Sequence, residues 1–144
     1  MIRGYFDPES GDPRPLLRCK ILLPGITSSW ADFYPLIDTG AHTTSLHPVD
    51  AIVGAGISAE RLADPGAWAR HEQRVGVGGG ARYFLTEAVY AFRHEDGQWQ
   101  EISGDIRIAQ LQADNILFPS LLGWDILRHF SISLDWRTRS ITFS

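Results

Sequence analysis

Apolar and polar positions along the chain fall mostly into short runs of extended character, separated by Pro, Gly and Asx punctuation. The first fifteen residues hold Gly4, Pro8, Gly11, Pro13 and Pro15 and read as an irregular N-terminal arm, with a short strand at Ile2 to Phe6. Residues 16–144 form the domain proper. Leu16 to Leu23 is a β-type run stopped by Pro24-Gly25, and Trp30 to Ile37 is a second run, rich in aromatics, that leads into Asp38-Thr39-Gly40. Thr43 to Leu46 restarts extended structure. His47-Pro48-Val49-Asp50 opens a short helix to about Val53, because proline suits a first helical turn. Another short helix is expected over Ser58 to Leu62, then a turn at Asp64 to Gly66.

Arg70 to Val77 predicts a strand entering Gly78-Gly79-Gly80, and Arg82 to Phe92 a long one. His94-Glu95-Asp96-Gly97 is a hairpin turn, with Trp99 to Ile108 as the return strand, since Asp-Gly accommodates the backbone that tight hairpins require. Asn115 to Leu122 is apolar, is interrupted by Pro119 and ends at Gly123. Asp125 to Phe130 has helical spacing on one face, with Asp125 as a cap. Ser131 to Trp136 and Ser140 to Phe143 close the chain as a hairpin turning at Arg137 to Arg139. Roughly eight to ten short strands and one or two short helices predict an all-β sandwich or closed barrel.

Composition narrows the function classes. With 144 residues, the chain is long enough to bury a core as one domain without disulfide or metal support. The formal charge of −4 and the lack of a Lys/Arg cluster argue against a nucleic-acid binder. Cys19 is the only cysteine, so no intrachain disulfide forms, and it reads as a small core residue. Met1 to Arg18 has no signal-type apolar run, and no stretch reaches the ~18–20 apolar residues of a membrane helix. A soluble protein of the cytoplasm, without membrane partners, is the expectation.

Three features carry candidate chemistry, and they occur in a fixed order. The first is Asp38-Thr39-Gly40-Ala41 after the apolar strand end Leu36-Ile37. The second is Val75-Gly76-Val77-Gly78-Gly79-Gly80 between two strand candidates. The third is Leu121-Leu122-Gly123-Trp124-Asp125-Ile126-Leu127. Any one of them has a plain structural reading, because an Asp-x-Gly is usually only a turn. As an ordered set they resemble the retropepsin-like, single-domain aspartic peptidases, over nearly the whole chain from Leu16 to Phe143.

The resemblance implies a role for each matching residue. Asp38 would be the catalytic carboxylate. Thr39 would hydrogen-bond across to a partner chain. Gly40 would present its backbone to substrate, and Ala41 would continue the loop. Val77, Gly78 and Gly79 would form the flap tip that binds an extended peptide, and Leu122 and Gly123 would brace the catalytic loop. The chemistry of this class needs two carboxylates, yet the chain holds one D-T-G and no D-S-G. The partner is therefore expected to be a second copy, related by a two-fold axis. No cofactor is implied.

Two positions depart from the family's pattern. The family often has an Asp after D-T-G-A and an Arg after the later Gly, and here His42 and Trp124 stand there. His42 is expected to lie against Trp124. The run of three glycines raises the entropy cost of ordering a flap on substrate.

Other motifs fade on inspection. Gly76-x-Gly78-x-Gly80 lacks both the third dinucleotide glycine and a P-loop Lys. His42, His47, His71, His94 and His129 form no metal-ligand spacing, and no G-x-S-x-G is present. Trp30, Trp68, Trp99, Trp124 and Trp136 are expected in the core or an interface. Two other functions remain on the sequence: a non-catalytic peptide-binding or dimerisation module on the same fold, and a β-barrel carrier of an apolar ligand. The second gives no role to Asp38-Thr39-Gly40.

Overall fold

A computed structural model describes residues 1–8, 11, 13–76 and 79–144. Its architecture is mostly β, with a mixed sheet of twelve strands among the described residues. The strands are β1 (Ile2–Phe6), β2 (Pro15–Leu16), β3 (Cys19–Leu22), β4 (Ala31–Phe33), β5 (Leu36–Ile37), β6 (Ser45–Leu46), β7 (His71–Gly76), β8 (Gly79–Arg93), β9 (Trp99–Ala109), β10 (Leu121–Leu122), β11 (Ile132–Asp135) and β12 (Ser140–Phe143). They lie in the order β11-β12-β1-β2-β5-β10-β6-β9-β8-β3-β4, with β7 paired to β8. Among the described residues this path ends at β11 and β4, so the expected closed barrel is not formed as a ring of backbone bonds.

Two expected strands are each broken in two. Pro35 interrupts the run from Trp30 to Ile37, because it has no N–H to give a ladder. Its carbonyl instead accepts from Leu17 N at 3.1 Å. Leu17 lies in the break between β2 and β3, fully buried. This bend lets the chain change partners: Leu16 pairs with Leu36 of β5, whereas Cys19 to Leu22 pair with β4 and β8.

The longest ladder joins β8 and β9, from Tyr83 opposite Ala109 to Arg93 opposite Trp99. Its turn matches the Asp-Gly signal. Gly97 takes φ 88°, His94 N donates to Gln98 O at 2.8 Å, and Gln98 N to Asp96 Oδ1 at 3.0 Å. At the chain ends, β12 is paired on both sides, with β1 and with β11. The strand expected at Ile2 to Phe6 therefore belongs to the sheet.

Helical structure is short. Residues 48–54 are helical, with a π-turn at Asp50–Gly54. Helix α1 (Ala59–Ala63) starts at Ser58, whose hydroxyl accepts from Arg61 N at 3.2 Å. A 3₁₀ turn follows at Pro65–Ala67, and α2 (Trp124–Leu127) follows β10.

The core gathers Ile2, Leu17, Ile21, Phe33, Phe84, Tyr90, Phe92, Ile106 and Phe143, all essentially fully buried. Trp68 stacks on Phe84 at 4.9 Å between ring centroids and is the one tryptophan in the core. The other four lie outside the core, each at least one-third exposed. Cys19 is buried in β3, and burial pushes its thiol far up, away from the reactive thiolate. No helix among the described residues is long and apolar enough to cross a membrane.

Candidate active site

Three two-residue strands frame Asp38. Strands β5 and β10 run parallel, with Leu36 opposite Leu121 and Ile37 opposite Leu122. β10 also pairs antiparallel with β6 at Leu121 and Ser45. Chain segments distant in sequence thus meet at adjacent loops, Asp38 to Thr44 on one side and Gly123 to Asp125 on the other. Ladders this short are weak alone, so the loops depend on bonds outside them.

Those bonds are numerous. Asp38 N donates to Leu122 O at 3.1 Å, and Ala41 N to Asp38 O at 3.2 Å. Trp124 N donates to Ala41 O at 2.9 Å, and Asp125 N to His42 O at 3.1 Å. Thr44 is fully buried beneath them. Its hydroxyl donates to Asp125 Oδ1 at 2.7 Å and accepts from Gly123 N at 3.0 Å, while Thr44 N donates to Asp125 Oδ2 at 2.9 Å. Asp125 therefore ties the two loops together. The expected helix cap is corrected here: the cap position is Gly123, and Asp125 sits inside the first turn.

Gly123 is needed for close approach. A Cβ there would lie 2.6 Å from both C and O of Thr43, closer than packed atoms tolerate. Leu122 is fully buried beside it. The expected bracing places, Leu122 and Gly123, thus lie against the Asp38 loop, joined to it through Asp38 N, Thr43 and Thr44.

At the surface of this frame, Asp38 is half-buried, and Thr39 and Gly40 are exposed. Gly40 N donates to Asp38 Oδ1 at 2.9 Å. A Cβ on Gly40 would stand 3.2 Å from the same oxygen, a tight contact, so glycine lets the backbone sit close to the carboxylate. Ala41 is half-buried as the loop turns inward.

The contact expected between His42 and Trp124 does not form. His42 is exposed, and the Trp124 indole instead donates from Nε1 to Thr39 O at 2.5 Å. The reason is backbone geometry. The strand-like bonds Trp124 N to Ala41 O and Asp125 N to His42 O hold the two segments side by side, which brings the indole over Thr39. Sequence reasoning missed this bond and the Thr44–Asp125 link. The only signal for either is the presence of hydrogen-bonding side chains at both motifs.

Beside the frame, His47 is buried with Ser45 and Ser120, next to the half-buried Asp50. Ser120 Oγ donates to Asp50 Oδ2 at 2.5 Å and accepts from His47 N at 2.9 Å, and Ser45 Oγ lies 3.4 Å from His47 Nδ1. The His47 ring meets Tyr83 and Phe118 edge-on. Burial lowers its pKa from the ordinary 6.5, with Asp50 opposing. Burial thus makes the imidazole harder to charge.

The glycine-rich hairpin is formed by β7 and β8, with Gly76 opposite Gly79. Val77 and Gly78, two of the three expected flap residues, lie outside the described residues; Gly79 begins β8. Glu72 of β7 fixes the hairpin's base. Its carboxylate accepts from Arg107 Nε of β9 at 2.6 Å and pairs with Arg74 at 3.0 Å. Burial raises the Glu72 pKa, but these two guanidinium groups outweigh it and bring it below the usual value. No three His, Cys, Asp or Glu side chains gather as a metal site among the described residues.

Comparison with models of known protein families finds no match, and comparison with curated proteins finds none either.

Proposed function

We propose that the chain is an aspartic endopeptidase of retropepsin-like fold that works as a homodimer. The observation that carries this reading is the Asp38 loop. A half-exposed carboxylate accepts from Gly40 N at 2.9 Å, on a loop clamped between β5 and β10 by buried side chains. A surface turn with no task has no need of that clamp.

The chemistry follows from pairing two such loops. One carboxylate takes a proton from a water molecule as the water attacks the peptide carbonyl carbon, and the other gives its proton to the carbonyl oxygen. Two carboxylates about 3 Å apart do not both ionise, so they share one proton and titrate as a unit. Because one chain supplies one D-T-G, the partner is a second copy. The substrate is an extended peptide lying between the loops and the β7–β8 hairpins. No cofactor takes part in this scheme.

The test is Asp38→Asn. Cleavage of an unstructured protein at mildly acidic pH is expected to vanish while the dimer, followed by sedimentation, persists. The wild type should show a bell-shaped rate profile. Unchanged cleavage by Asp38→Asn would sink the proposal. Tight binding of an extended peptide by a wild-type dimer that never cleaves it would favour a peptide-binding module instead.

A further inference from the structure

The hydrogen bond from the Trp124 indole to Thr39 O has a consequence at the carboxylate. Thr39 C=O and Gly40 N–H belong to one peptide unit. The unit is planar and trans, so its two polar groups point in opposite directions. Each end is held: the carbonyl by Trp124 Nε1 at 2.5 Å, and the N–H by Asp38 Oδ1 at 2.9 Å. Turning the plane to improve or break one bond turns the other by the same angle. A donor on the carbonyl also polarises the unit and makes its N–H a better donor.

We propose that Trp124 is a positioning residue for Asp38, acting through the Thr39–Gly40 peptide plane to keep the Gly40 N–H on the carboxylate. This rests on the peptidase reading for its effect on rate, but not for its effect on the Gly40 N–H. Among the described residues, the other backbone bonds of the loop engage Asp38 N and O, Ala41 N and O, and His42 O, and leave the 39–40 plane untouched. Trp124 is well placed to act as a fixed donor, because its own backbone N is tied to Ala41 O at 2.9 Å.

Few other charges bear on Asp38. β5 and β10 carry no ionisable group. His42 of the same loop is exposed, and the Asp125 carboxylate is occupied by Thr44. In the dimer, the second copy's Asp38 adds the coupling already described. Losing an N–H donor to a carboxylate favours its protonated form, so the acidic limb of the rate profile is the part that should respond.

Two replacements separate the N–H from the ring. Trp124→Phe removes the donor and shortens the ring, while benzothienylalanine at Trp124 keeps the bicyclic shape and puts sulfur where the N–H was. Both are expected to fold, to keep the wild-type assembly and to leave KM within about twofold. A kcat lower by about fivefold, the loss expected for one net hydrogen bond, is predicted for each. The acidic limb of the rate profile should move to higher pH. Trp136→Phe, at another exposed tryptophan remote in sequence from the loop, should change none of these.

A second readout needs no cleavage. The Gly40 amide proton, followed by nitrogen-15 NMR, should move towards the position of a weaker hydrogen bond in both variants. If the amide resonance and the rate profile stay at their wild-type values, or the loss falls on KM alone, the positioning role is wrong. Should Asp38→Asn still cleave, the peptidase reading falls, and the Gly40 amide alone decides the role of Trp124.

Discussion

The Asp38 frame and the β8–β9 hairpin hold their shape by different means. The hairpin has an unbroken backbone ladder of eleven facing pairs, and backbone groups are present whatever the side chains. The frame has three strands of two residues each. Its geometry comes from particular side chains and one particular absence: Thr44, Asp125, Trp124 and the missing Cβ of Gly123. Shape built on a ladder tolerates substitution, and shape built on named side chains does not. A site that must hold one carboxylate at one angle is made in the second way.

The same substitution in each region gives the sharpest contrast. Gly123→Ala forces a methyl group into the Thr43 backbone. A loss of about 3 kcal/mol is expected, the upper range for overpacking, together with loss of cleavage; urea unfolding and a peptide-cleavage assay would show it. A loss under about 1 kcal/mol would mean that the two loops separate easily, and the contrast would fail.

A smaller effect should appear on acidification. Burial makes His47 harder to charge in the fold than in the unfolded chain. The unfolded chain therefore binds more protons as pH falls below the ordinary 6.5 of this group, and stability drops with it. The contribution is fully present above that pH and is lost towards the lowered folded value. His47→Gln should show a flatter dependence of urea midpoint on pH between about 7.5 and 5. An equal slope in both proteins would remove His47 as the cause. The groups facing it are Ser45, Asp50, Ser120, Tyr83 and Phe118, of which only Asp50 opposes the shift.

The smallest effect is Gly104→Ala in β9. The added methyl group meets only Ile126 Cδ1 at 3.9 Å, an ordinary contact. Stability should hold or rise by about 0.5 kcal/mol, since alanine restricts the unfolded chain. A thermal melt that falls by several degrees would show that the hairpin is as exacting as the frame.

What was legible in the sequence is what neighbouring residues decide among themselves. Asp96-Gly97 makes its own turn, a short helix follows from Ser58, and Leu36-Ile37 runs into Asp38 as a strand end. Where the partner lies far along the chain, the signal is gone. Thr44 and Asp125 are 81 positions apart, and nothing local says that their side chains meet. Trp124 was visible only as a departure from a pattern, and the ring contact expected of it yielded to a bond with Thr39 O because backbone pairing set the angle. The break at Pro35 was read through, although proline's missing N–H foretold it. The flap residues Val77 and Gly78 lie outside the described residues, so the expectation for them stands on sequence alone.

The parallel pairing of β5 with β10 also sets an order of events in time. Leu36 and Ile37 find their partners only at Leu121 and Leu122. A ribosome adding about 5–20 residues per second exposes the first strand several seconds before the second exists. Closing so long a loop is slow compared with forming the β8–β9 hairpin between them. A nascent chain thus carries Asp38-Thr39-Gly40 without the frame that orients it until Leu121 and Leu122 have emerged.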